Sequence, residues 1–114
     1  MLHIDWRQSQ VDVDTFLRDY WQRKPLFIKG GLAAFSPQLD PDELAGLACE
    51  DEIESRIVTE RSDPPWQLQR GPFNDDTFAA LPSSHWTLLV QSVDVYDDNV
   101  ASLLDAFRFI PQWR

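Results

Sequence analysis

Within eleven residues, Trp21-Gln22-Arg23-Lys24-Pro25-Leu26-Phe27-Ile28-Lys29-Gly30-Gly31, the chain passes from helical to extended patterning. Just upstream, Phe16, Leu17, Tyr20 and Trp21 fall at i, i+1, i+4 and i+5, so the spacing predicts a first helix over Val13–Gln22. Asp12 is its candidate N-cap, with Val11 and Phe16 at the spacing of a hydrophobic staple. Pro25 disfavours helical backbone at Lys24 and ends the helix. Leu26–Lys29 then reads as a buried strand, and Gly30-Gly31 frees the backbone to turn. A helix that hands the chain so abruptly to a strand points to a mixed α+β architecture.

The next segments repeat that mixture. Asp40-Pro41-Asp42-Glu43 is a capping box with proline at the first helical position, leading into Leu44, Ala45, Leu47 and Ala48, so a second helix ends near Cys49. Ile53, Ser55, Ile57 and Thr59 alternate with Glu54, Arg56, Val58 and Glu60, the period of a strand with one wetter face. Ser62-Asp63-Pro64-Pro65 breaks that strand, and Trp66–Gln69 alternates again as its antiparallel partner across a loose loop. Gly71-Pro72 stops the second strand. Asn74 or Asp75 caps a short helix through Leu81. Trp86–Gln91 is the most apolar run and predicts a central strand. Asp97-Asp98-Asn99 caps a last helix on which Val100, Leu103, Leu104 and Phe107 repeat at helical spacing. No repeat, low-complexity stretch or linker interrupts the chain, so residues 1–114 are expected to form a single unit with mixed or antiparallel strands flanked by short helices.

Composition limits the functions open to such a chain. Its 114 residues, 43% of them hydrophobic and 12% aromatic, suffice for one modest core. Nineteen acidic against ten basic side chains leave a net charge of −9, which repels phosphate and argues against DNA. The one dense basic cluster is Arg23-Lys24 with Lys29. No run approaches the eighteen or so apolar residues of a membrane span, and the start lacks the pattern of a signal peptide. With Cys49 as the single cysteine, no internal disulfide forms, and a reducing, cytoplasmic setting is expected.

Each candidate site has a stronger structural reading. His3 and His85, 82 positions apart, sit in no HxD, HxH or HExxH pattern, so neither is assigned a metal. Asp75-Asp76 and Asp97-Asp98 precede helical periodicity, where carboxylates complement the helix N-terminus. Glu50-Asp51-Glu52 with Glu54 forms a solvated acidic run. Cys49 closes an Ala- and Leu-rich helix and reads as a packing residue. Gly30-Gly31 begins no phosphate-binding glycine pattern. The five tryptophans are expected in core and sheet packing rather than on a nucleic-acid stacking platform. No catalytic, cofactor-binding or metal residue is assigned within these 114 positions.

A resemblance extends along nearly the whole chain. Phe16-Leu17, Tyr20–Pro25, Pro41–Ala48, Glu54–Val58, Trp66-Gln67, Gly71–Phe73, Trp86–Gln91 and Pro111-Gln112-Trp113-Arg114 follow one another in the order and spacing of the start of bacterial ribosomal oxygenases. The chain therefore resembles the N-terminal portion of JmjC-type, cupin-fold enzymes. These use Fe(II) and 2-oxoglutarate to hydroxylate an arginine of a large-subunit ribosomal protein. The resemblance implies that the helices and strands here extend and buttress a double-stranded β-helix. In that family the iron ligands, an HxD pair and a distal His, follow the Pro-x-Trp-Arg motif. They fall beyond Arg114, so the 114 residues alone are expected to be inactive, to bind neither Fe(II) nor 2-oxoglutarate, and to present bare strand edges open to self-association. The alternative reading is a stand-alone acidic interaction module that binds a basic partner through Glu50–Glu54, recognisable by salt-sensitive binding lost when that run is neutralised.

Overall fold

The computed structural model describes residues 1–111, so the Gln112-Trp113-Arg114 part of the last motif lies outside the described residues. The chain divides into two compact units, one made of Met1–Gln38 with the chain from Asp98 onward, the other of Leu39–Asp97.

In the first unit a single 3₁₀ turn, Trp6–Gln8, is capped by the Asp5 carboxylate, which accepts from the Arg7 amide. Helix α1, Val13–Thr15, follows its N-cap Asp12, whose carboxylate accepts from the Thr15 amide at 2.8 Å. The expected helix over Val13–Gln22 is shorter and wider than its spacing suggests. After α1 the backbone opens into a π-turn, Phe16–Tyr20, closed by Trp21 N–H on the Phe16 carbonyl at 2.8 Å. The wider turn lets Phe16 contact Tyr20 and Trp21 together, at ring separations of 6.2 and 6.4 Å. Trp21 turns extended and Gln22 left-handed (φ 60°), so the helix stops before Pro25 can act.

The expected strand at Leu26–Lys29 does not form: this backbone has no strand partner among the described residues. Its alternation serves a one-sided contact instead, with Leu26 and Ile28 half-buried and Phe27 84% exposed. Gly30, at φ 71°, then turns the chain so that the Gly31 carbonyl accepts from the Asp5 amide at 2.8 Å. Helix α5, Asp98–Ala101, runs into a 3₁₀ segment, Ser102–Phe107, rather than the continuous α-helix its spacing predicts. The tighter winding buries Ala106 and leaves Leu104 and Phe107 exposed. The packing centre is aromatic: Phe16 lies 5.7 Å from Trp6 and 5.9 Å from Phe109, and Trp6 and Phe109 meet edge-on at 5.6 Å.

The second unit follows its sequence more closely. Helix α2, Pro41–Leu47, starts as the capping box requires, with the Asp40 carboxylate 2.7 Å from the Glu43 amide. Strand β1, Ser55–Glu60, pairs antiparallel with β2, Trp66–Arg70, and on its other side with β3, Trp86–Val90. The sheet order is β2-β1-β3, so β1 is central and Trp86–Val90 is an edge strand, not the central one its apolarity predicts. The strict alternation of β1 explains the difference: Ser55, Ile57 and Thr59 are buried on one face, whereas β3 leaves Trp86 and Leu89 exposed. Helix α3, Asp75–Ala79, is capped by Asn74, whose side chain accepts from the Thr77 amide at 3.0 Å. It covers the buried face, where Ala48, Ile57 and Phe73 form a core joined by Phe78, Leu81, Leu88 and Val90. A short helix α4, Val93–Tyr96, follows β3 and has no clear periodic signal in the sequence.

Candidate functional site

The residues singled out in the sequence do not converge. His3 is exposed in the first unit. His85 is exposed in the second, at φ 64°, with its Nδ1 2.7 Å from the Ser84 hydroxyl and its carbonyl accepting from the Glu60 amide. Asp75 and Asp76 occupy the first turn of α3 and Asp98 opens α5, the helix-terminal places expected of them, whereas Asp97 is also the C-cap of α4, its amide bonding the Val93 carbonyl. Glu50, Asp51, Glu52 and Glu54 are all exposed on the turn that enters β1. The Cys49 thiol is half-buried and donates to the Ala45 carbonyl at 3.4 Å, as a packing residue after α2 does. Trp6 and Trp21 join the aromatic cluster, and Trp86 donates its indole N–H to the Pro82 carbonyl at 2.9 Å. Trp66 stands 62% exposed on β2, and Trp113 lies outside the described residues.

Three ion pairs among the described residues are local in sequence. Arg7 forks onto the Asp5 carboxylate at 2.7 and 2.8 Å, and its guanidinium, helped by the Arg7 backbone N–H, lowers the Asp5 pKa to about 2. The Thr15 backbone N–H lowers that of Asp12, and the Arg18 guanidinium lowers that of Asp19. These are ion pairs and caps on exposed positions, without a cleft to act on. An apolar hollow of about 450 Å³ in the first unit is lined by Ile4, Leu26, Ile28, Leu32 and Phe107 beside the twin glycines. It offers no charged group to orient a ligand.

Among the described residues no three His, Cys, Asp or Glu side chains are grouped so as to hold a metal ion. An iron site needs side chains that converge on one point with positions left open, and the residues here do not fit that requirement.

Two features of the second unit escaped the linear reading. Gly71 sits so close to β1 that a Cβ there would collide with the Ser55 hydroxyl, and its amide bonds the Ser55 carbonyl at 2.8 Å. Arg56 and Arg70 stand directly opposite each other across β1 and β2. The strand alternation carries the signal for the second feature, because it puts Arg56 on the wetter face with Val58, but only the register reveals the partner.

A fold of this kind, a three-stranded antiparallel sheet with short helices, matches an N-terminal segment of the ribosomal oxygenases. The chain is 41% identical over 107 residues to the ribosomal protein uL16 3-hydroxylase of Escherichia coli K12, which covers 94% of the chain and 28% of that relative. It is 37% identical over 106 residues to a probable ribosomal oxygenase of Haemophilus influenzae, covering 93% of the chain and 26% of the relative. The solved structure of the E. coli ribosomal oxygenase YcfD with cobalt and succinic acid superposes over the whole chain with a TM-score of 0.83 at 36% identity. The same enzyme with cobalt and 2-oxoglutarate gives the same values. In both, the chain covers 29% of the solved one, so it spans little more than a quarter of the length of its relatives. No family model matches the chain.

Proposed function

We propose that these 114 residues are the N-terminal structural segment of a cytoplasmic Fe(II)- and 2-oxoglutarate-dependent oxygenase that hydroxylates an arginine of a large-subunit ribosomal protein, uL16 being the substrate named for the E. coli relative. The observation that carries the reading is the TM-score of 0.83 over the complete chain at 36% identity, against a protein solved with 2-oxoglutarate. The segment contributes scaffold: two small cores and a sheet that buttress a catalytic barrel supplied by other residues. It contributes no iron ligand.

Incubation of the 114-residue chain with Fe(II), 2-oxoglutarate and a uL16 peptide is expected to yield no succinate above background. Stoichiometric turnover would place the reacting groups within these residues and overturn the proposal.

The outer edges of β2 and β3 carry no further strand among the described residues. Isolated, the chain is expected to self-associate through them, with a weight-average mass in sedimentation that rises with concentration. Thr87→Lys, a charge on the exposed edge of β3, should shift it toward monomer. A chain that stays monomeric at high concentration would contradict this.

A further inference from the structure

The sheet face turned away from α2 and α3 carries an arrangement that the scaffold role leaves unexplained. The antiparallel register sets Arg56 between Arg70 and Leu89, and Val58 between Leu68 and Thr87. Residues directly opposite share a face, and like charges so placed repel. Burial adds to that cost: the Arg56 Nε–H is shielded from solvent and has no hydrogen-bond partner.

Three other arginines are placed differently. Arg7, Arg18 and Arg108 each take an aspartate within three residues at 2.7–2.9 Å. The carboxylates Glu54 and Glu60 alternate onto the same face as Arg56, yet neither is ion-paired among the described residues.

The surroundings say what kind of group is missing. Leu89 stands beside Arg56, and the same face continues along the strands through half-buried Val58 and Leu68 to Trp66; Leu89, Leu68 and Trp66 are 41%, 51% and 62% exposed. An exposed apolar strip of that kind is covered by polypeptide rather than by a free ion. Two guanidinium forks match carboxylate geometry, and a net charge of −9 opposes a nucleic-acid phosphate at this place.

We propose that the Arg56–Arg70 pair receives an Asp or Glu carboxylate carried by the portion of the longer protein outside these 114 residues, which closes over the Trp66, Leu68 and Leu89 face. This rests on the functional reading above. The relatives provide the length for it, since the matched segment is 28% of the E. coli protein. The carboxylate neutralises the cross-strand repulsion by accepting from the exposed Arg70 guanidinium and from the Arg56 N–H groups other than the shielded Nε–H, so the pair acts as a lock between this segment and the rest.

The test uses a full-length chimera in which these residues replace the matching segment of the E. coli uL16 3-hydroxylase. Arg56→Gln and Arg70→Gln are each expected to lower its Tm by at least about 3 °C, with the double variant losing little more than either single one. In the isolated 114-residue chain the same changes should leave Tm unchanged or raise it, because there they only relieve repulsion. Arg56→Lys, which keeps charge without the fork, should fall between. Equal losses in both contexts, or none in the chimera, would overturn the proposal. So would self-association of the isolated chain that Arg56→Gln abolishes, which would seat a second copy on the face, or RNA binding lost in the same variant, which would seat phosphate. A chimera with neither a cooperative melt nor uL16 hydroxylation would instead sink the functional reading, and this inference with it.

Discussion

Ile57→Ala is expected to lower the unfolding free energy by about 3 kcal/mol, the middle of the range for truncating a fully buried aliphatic side chain. Ile57 is 0% exposed, is the largest fully buried side chain described, and stands at the centre of β1 with Leu88 beside it and Ala48 and Phe73 in the same cluster. A core built from so few buried side chains has little capacity to collapse around the cavity, so the transfer and cavity costs both remain. Urea unfolding followed by tryptophan fluorescence reads the change, because Trp66 and Trp86 flank the same sheet. Ile57→Val should cost about 1 kcal/mol. A loss below about 1 kcal/mol for the alanine variant would mean that the second unit is not held together at this point.

Gly71→Ala is expected to cost about 2 kcal/mol or more, by crowding rather than by loss of contact. The added methyl would overlap the Ser55 hydroxyl, which is itself buried and donates to the Ala48 carbonyl at 3.3 Å, and would press on the Phe73 ring at 3.3 Å. Relaxation by backbone shift would stretch the Gly71 N–H bond to the Ser55 carbonyl, the rung that continues the β1–β2 ladder past Arg70. The mechanism makes a second measurement decisive. Ser55→Ala removes the oxygen in the way, so the Ser55→Ala/Gly71→Ala double variant should recover more than half of the loss, a coupling of at least 1 kcal/mol in a double-mutant cycle. Additive effects would show that the close approach is not what requires glycine.

Local chemistry made much of the second unit readable. Asp40-Pro41-Asp42-Glu43 is a cap whose donors and acceptors lie within three residues, so sequence alone locates it; the same local chemistry narrowed the cap of α3 to Asn74 or Asp75, of which the structure uses Asn74, and the alternation of Ser55–Glu60 states which face is buried. What failed depended on partners distant in sequence. Trp86–Val90 has the composition of a central strand and occupies an edge, because strand order follows from pairing and not from apolarity. Leu26–Lys29 has strand-like residues but no neighbour to pair with among those described, and so forms no strand and buries one side only. The π-turn at Phe16–Tyr20 reflects the demand of one ring to touch two others, which a 3.6-residue period does not encode. The Arg56–Arg70 juxtaposition was not readable in the sequence, because register is a property of two strands together.

The central claim, that this chain is an interchangeable N-terminal scaffold of a ribosomal oxygenase, is tested most directly by the hydroxylation of uL16 by the chimera carrying residues 1–114 in place of the matching E. coli segment. The claim predicts 2-oxoglutarate-dependent hydroxylation by the chimera and none by the isolated 114 residues. A chimera that melts cooperatively yet leaves uL16 unmodified would contradict it.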